Sequence, residues 1–254
     1  TSAPSEDAVL TGNSSASTTA GGVHNYDGKI GVLPSSSFDG SMVLSLNTTG
    51  SSKVVVTYDI MTIRNAGSRI NEVTMQYRVG TTGDFTTLTG IEYQNNNTTQ
   101  TGSGVTTPQK LETKSITLPP SCDNQSVVQL RWVSRQVSGS GGRPSFALDN
   151  IHIVSPFIAK WRFANATSQI RFDALTDGAV NYTWSTSPSG HNGSSSFDQS
   201  PGGSVILSGL TIEAGDTVTI TMEPDNLRRL YHSSGVTDAA DLIDVAQWGS
   251  VPWS

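Results

Sequence analysis

The run KVVVTYDIMTI (Lys53–Ile63) leaves a chain few conformations. Val54, Val56, Tyr58, Ile60 and Thr62 alternate with Val55, Thr57, Asp59, Met61 and Ile63, so a period of two places apolar side chains on both faces. β-Branched and aromatic residues at that density fit a strand inside a sandwich. EVTMQYRVG (72–80) alternates more strictly, with Val73, Met75, Tyr77 and Val79 opposed to Thr74, Gln76 and Arg78, as in a half-buried antiparallel strand. SMVLSLNTT, GDFTTLTG, KSITLPP, SVVQLRWVSRQVSG and SFALDNIHIVS add further strands, separated by turns rich in Gly, Asn and Pro. No amphipathic helical period is found before residue 155, and the stretch TGNSSASTTAGG within the first fifty residues reads as loop. The pattern predicts an all-β double-sheet jelly roll.

A boundary is expected near Val154–Phe157, where Pro156 ends the last strand. FIAKWRF, QIRFDAL, AVNYTWST, GSVILSGL and DTVTITME follow, enough for a smaller immunoglobulin-like sandwich. The predicted organisation is a jelly roll over residues 1–155 and an immunoglobulin/PKD-like sandwich over 156–254. The tail admits two readings: a short helix capped by Asp238, or a strand in DLIDVAQW, of which the strand is preferred.

Composition narrows the function classes. Charged residues are 14% of the 254, against roughly 25% in ordinary soluble domains. Ser, Thr and Asn replace them, giving the neutral, hydrogen-bonding surface of many extracellular bacterial modules. A net charge of −6 with no run of Lys or Arg argues against nucleic-acid binding and polybasic membrane attachment. No apolar run approaches the ~20 residues that span a bilayer. Cys122, the one cysteine, cannot form an internal disulfide and has no histidine beside it, so it reads as an incidental thiol. Eight Asn-x-Ser/Thr sequons, at Asn13, Asn47, Asn96, Asn97, Asn124, Asn165, Asn181 and Asn192, are expected by chance in a chain of this composition. The opening TSAPSEDAVL has neither an initiator Met nor a signal peptide, as expected of a trimmed or mature piece.

No catalytic constellation is legible. His24 and His191 fall in loops, and His152 alternates outward from Ile151 and Ile153. There is no Gly-x-Ser-x-Gly elbow, no His-x-x-x-His and no phosphate-cradling glycine loop. The chain is therefore expected not to be an enzyme.

Ligand binding keeps more candidates. Tyr26, Tyr93 and Trp132 are the candidate platforms for sugars, although Trp132, between Leu130 and Val133 in LRWV, fits a core better. Asp149, the lone carboxylate in the apolar strand of GGRPSFALDNIHI, has three readings. It is a general base without a visible partner, or a ligand of structural calcium with Asn150 or an N-terminal loop residue such as Asp27 or Asp39, or a structural acceptor for Arg143 or backbone N–H groups; the last is preferred. Glu213 and Asp216 in EAGDTVTI read as a solvated hairpin turn.

Four stretches of the first segment resemble a MAM-like, concanavalin-like jelly-roll module of secreted bacterial surface proteins and extracellular nucleases: GNSSASTTAGGVHNYDG, MQYRVGTTGDFTTL, NQSVVQLRWV and SGSGGRPSFALDNIHI. Members usually carry another strand upstream, where this chain has only TSAPSEDAV; its lack would leave a sheet edge exposed. The second segment resembles the domain that precedes leucine-rich repeats in BspA-type bacterial surface proteins, through FIAKW, VNYTW and the closing LIDVAQWGSVPWS. It departs from that domain in reading WSTSPSG where relatives often have a WGDG turn, and in lacking the repeats. The resemblances imply a fragment of a secreted or cell-surface multidomain protein that serves adhesion, binding or spacing. Its expected partners are other domains of the parent protein and glycans or surface polymers. The alternative they imply is an accessory module, carbohydrate-binding in one version, of an exported hydrolase or nuclease.

Overall fold

A computed structural model describes residues 14–36, 38, 40–232 and 237–253. Among them there is no α-helix, only strands and two short 3-10 turns, Pro120–Cys122 and Thr237–Asp241. The chain divides into two compact units, Thr1–Thr49 with Val55–Ile153, and Gly50–Val54 with Val154–Ser254. The short segment belongs to the second unit because the Ser52 backbone N–H and hydroxyl donate to Gln247 Oε1 at 2.6 and 3.0 Å.

The first unit contains β1 (Gly22–Tyr26), β2 (Lys29–Leu33), β3 (Ser41–Leu46), β4 (Val55–Thr62), β5 (Ile70–Val79), β6 (Thr86–Thr87), β7 (Tyr93–Gln94), β8 (Gln109–Thr117), β9 (Val128–Ser138) and β10 (Phe146–Val154). One sheet has the order β1-β2-β10-β4-β8; the other runs β3-β9-β5-β6, with β7 also paired to β5. Tyr58 on β4 meets Trp132 on β9 edge-to-face, with ring centroids 5.3 Å apart, so the two sheets face each other across an aromatic contact.

The sequence pattern explains where this core changes direction. Along β4, Val56, Tyr58 and Ile60 are buried while Val55, Thr57 and Asp59 between them are half-buried. The pairing with β8 then shifts between Ile60 and Thr62, and the residues beyond the shift, Met61 and Ile63, are buried in a second cluster with Ala16, Tyr26 and Ala147. An irregularity of one residue exchanges the two faces of a strand. That is how a run apolar on both faces is accommodated. In β5 the expected alternation holds for Val73 and Met75, but Tyr77 is only half-buried and Val79 is exposed as the strand runs beyond the core.

β1 and β2 follow the predicted loop, in a stretch without periodic signal. Asp27 and Gly28 between them have φ of +58° and +86°, the left-handed pair of a two-residue hairpin turn, and Asn25 Oδ1 accepts the Gly28 N–H at 2.7 Å. The opening segment TSAPSEDAV lies outside the described residues.

The second unit contains β11 (Phe157–Arg162), β12 (Thr167–Thr176), β13 (Val180–Ser187), β14 (Asn192–Phe197), β15 (Gly203–Ile212), β16 (Thr217–Met222), β17 (Leu227–Tyr231) and β18 (Leu242–Gln247). Its sheets have the orders β14-β13-β16-β11-β18 and β15-β12-β17. Trp161 of β11 stacks on Phe172 of β12 with centroids 6.1 Å apart, inside a core that includes Ile170, Val218, Ile220 and Leu227. Of the two readings of the tail the strand is the one found: β18 runs antiparallel to β11, preceded only by the 3-10 turn Thr237–Asp241. Asp238 caps no helix, since its carboxylate accepts the Arg171 N–H of β12 at 2.6 Å.

Candidate functional site

The three aromatic residues expected to offer a sugar platform are all interior. Trp132 is 1% exposed and packed on Tyr58. Tyr93 is also 1% exposed; its hydroxyl hydrogen-bonds the Thr62 hydroxyl at 2.9 Å, and burial pushes its pKa up to about 12. Tyr26 is fully buried, with its ring over Gly31, where a Cβ would come within 2.5 Å of the ring. A strand residue's side is set by register, and register puts all three rings toward the core. The exposed tryptophans are Trp248 and Trp253 in the second unit, packed edge-to-face on each other and on Phe157.

The calcium reading gathers no donor set. Asp149 Oδ1 accepts the backbone N–H of Asn150 at 2.9 Å, and the Asn150 amide donates to Asp59 Oδ2 at 2.8 Å. Thr113 donates to the other Asp59 oxygen at 2.6 Å, and these two bonds hold the Asp59 carboxyl below the usual range. Asp27 sits in the β1–β2 turn with φ of +58°, and Asp39 lies outside the described residues. Among the described residues no three His, Cys, Asp or Glu side chains gather as metal ligands. Asp149 forms no ion pair with Arg143; its carboxylate accepts a backbone N–H.

The turn of Glu213 and Asp216 is not simply solvated. Glu213 faces water opposite His191, whereas Asp216 is 1% exposed. Asp216 accepts the Ser189 hydroxyl (2.5 Å) and N–H (3.1 Å) and the Glu213 N–H (2.9 Å), and the bond from the Ser189 hydroxyl is the main reason its pKa is lowered. It is a pin between two turns. Cys122 is wholly buried and burial raises its thiol pKa, which keeps it in the unreactive form.

What the sequence does not display is a basic cleft. Two adjoining depressions of about 370 and 300 Å³ lie in the first unit and share Pro34, Ser35, Ser36, Arg69 and Arg143. Arg64 lines the first and Arg135 the second. Four of the chain's 15 basic residues thus meet here, and no Asp or Glu is among the described lining residues.

Strand pairing assembles it. β5 pairs with β9 so that Ile70 opposes Ser138, which carries Arg69 to the start of the loop SGSGGRP. That loop is pressed against the Ser68 turn: the Ser68 hydroxyl donates to Ser140 O at 3.0 Å, and Gln136 Nε2 donates to Gly139 O at 2.7 Å. Arg64 follows β4, its N–H donates to the Ser145 hydroxyl at 2.8 Å, and its guanidinium reaches Ala16 O at 2.7 Å. The opposite wall, Pro34–Ser36, follows β2; Gly21 lets it approach, since a Cβ there would stand 2.2 Å from Ser35 Oγ.

The guanidiniums are incompletely used. Arg69 Nη1 donates to Gln136 Oε1 at 2.6 Å, but its buried Nε meets no acceptor in the protein. Arg143 forms no hydrogen bond or ion pair with a described residue. A guanidinium offers five donors in a fixed fork, so the cleft presents spare directed donors with positive charge. Arg143 was a sequence candidate, for another reason. Arg64 and Arg69 lie close together in sequence, but Arg135 is far from both, and only the β5–β9 register brings it beside Arg69.

No protein-family model matches this chain, and no curated protein matches it. Among the described residues no helix is long and apolar enough to cross a membrane.

Proposed function

We propose that this chain is a non-catalytic binding module of a secreted or cell-surface bacterial multidomain protein, serving adhesion, with the two units also acting as a spacer. In this reading the first unit is a MAM-like jelly roll and the second an immunoglobulin/PKD-like domain of the BspA type. Support comes from where the resembling segments fall: FIAKW is on β11, VNYTW on β13, and LIDVAQ of the closing motif is β18. Two sheets per unit and a surface poor in charge agree with it.

The observation that carries the binding role is the basic cleft: directed donors in a concavity of ligand-site size, within the ~300–1,000 Å³ common for such sites. Co-sedimentation of the purified chain with insoluble extracellular polymers tests the proposal. Saturable retention by at least one polymer is expected. No retention on a broad panel, or turnover of a polymer by the chain itself, would overturn it. The parent gene bears on the setting: leucine-rich repeats beside this segment favour adhesion, and a catalytic domain favours the accessory-module alternative.

A further inference from the structure

We infer that the arginine-lined cleft of the first unit binds an acidic sugar, a pyranose unit bearing a carboxylate, as part of an extracellular polymer. The inference rests on the binding-module reading above and names its ligand class.

Three features select the chemistry. Positive charge is local: the chain as a whole carries −6, yet the described cleft lining has arginines and no carboxylate. Local charge favours a single anionic group over a long polyanion track. Second, the donors are guanidiniums, whose planar fork matches a carboxylate with two parallel hydrogen bonds. Among the described residues Arg143 has no hydrogen-bond or ion-pair partner, and Arg69 has a buried donor without an acceptor. A bound anion gives such a donor the acceptor it lacks.

Third, the rest of the lining is made of hydroxyl and amide groups, from Thr19, Ser36, Asn71 and Gln136. Groups of this kind exchange hydrogen bonds with sugar hydroxyls. The described lining has no aromatic ring on which a nucleic-acid base would stack. The carboxylate is placed between Arg143 and Arg69, with the ring hydroxyls toward the Ser and Asn walls.

Affinity electrophoresis of the whole chain tests this in gels containing polygalacturonate, polyglutamate or dextran. These supply a carboxylate with sugar hydroxyls, a carboxylate without them, and sugar hydroxyls without charge. Retardation is expected in polygalacturonate, weakened roughly tenfold by Arg143→Ala and by Arg69→Gln, less by Arg143→Lys, and diminished as salt is raised. Far-ultraviolet circular dichroism establishes that each variant is folded. Should Arg69→Gln fail to fold, the Arg143 pair decides, since Arg143 holds no structural bond.

Equal retardation in polyglutamate overturns the sugar assignment. No retardation in polygalacturonate, or retardation indifferent to both arginines, overturns the cleft assignment. Arginine-independent retardation in dextran would likewise overturn it while leaving the binding-module reading intact. That reading fails if the co-sedimentation panel is also empty or the chain turns a polymer over.

Discussion

The carbonyl oxygen of Ser68 occupies the space where a side chain on Gly139 would begin: a Cβ at position 139 would lie 1.8 Å from it. Gly139 also has φ of +73°. The loop that carries Arg143 into the cleft therefore depends on this glycine twice, through its conformation and through the close approach.

Gly139→Ala is expected to lower stability by on the order of 2 kcal/mol or more and to weaken polygalacturonate retention. Gly141→Ala is its control, since φ is +95° there but no atom lies within 4 Å of the added methyl. Denaturant unfolding of both variants checks this. A Gly139 variant no less stable than the Gly141 variant would show that the approach to Ser68 is not what fixes the loop.

Trp132→Ala removes the largest buried side chain between the sheets of the first unit, and is expected to cost about 3–5 kcal/mol. Trp132→Phe should cost less, because an aromatic edge remains to meet Tyr58. Chemical unfolding followed by near-ultraviolet circular dichroism measures both. A loss below about 1 kcal/mol in the alanine variant would contradict the placement of the indole in the core.

Burial raises the pKa values of Tyr58 and Tyr93 from 10.0 to about 12 each. A folded-state pKa above the unfolded value means stability complete below about pH 10 and lost as pH rises toward 12. Absorbance titration should show these two phenols ionising last and together with alkaline unfolding. Ionisation of all six tyrosines near pH 10 in the folded protein would refute it.

Asp216 shifts the other way. Its folded pKa lies below the ordinary carboxylate value, chiefly through the Ser189 hydroxyl, so its contribution is present above the unfolded value and lost as pH falls through the folded one. Asp216→Asn is expected to lower Tm at neutral pH, with the gap to the parent chain closing in acid below about pH 4. A gap constant from neutral pH to acid would mean that the carboxylate's ionisation does not stabilise the turn.

Calcium is expected to leave Tm unchanged relative to chelator, because the Asp149 carboxylate and the Asn150 amide are committed to local hydrogen bonds. A calcium-dependent rise in Tm would require a donor set other than these.

The strands were legible wherever side chains alternate at high β propensity: Val73 and Met75 in β5, Leu130 and Trp132 in β9, and Ile158 to Trp161 in β11 all lie in strands that the pattern predicts. β14 was not, because NGSSSF has almost no apolar signal and becomes a strand by pairing, with Val180 opposite Phe197 and Ser185 opposite Asn192. β1 and β2 were obscured by polar flanks, although the Asp27-Gly28 dipeptide between them is a strong local hairpin signal. The site was the least legible part. Trp132, Tyr93 and Tyr26 drew attention by residue type, but type does not determine which way a ring points. The arginines of the cleft were unremarkable singly, and their chemistry exists only once β5 and β9 are in register.

Titration of the chain with oligogalacturonate, followed by NMR of arginine side-chain Nε–H resonances, tests the binding cleft most directly. Saturable shifts confined to Arg64, Arg69, Arg135 and Arg143 are expected, while Arg228 and Arg229 of β17 stay fixed. Shifts spread evenly over all arginines, or none at all, would contradict a cleft built to hold an acidic sugar.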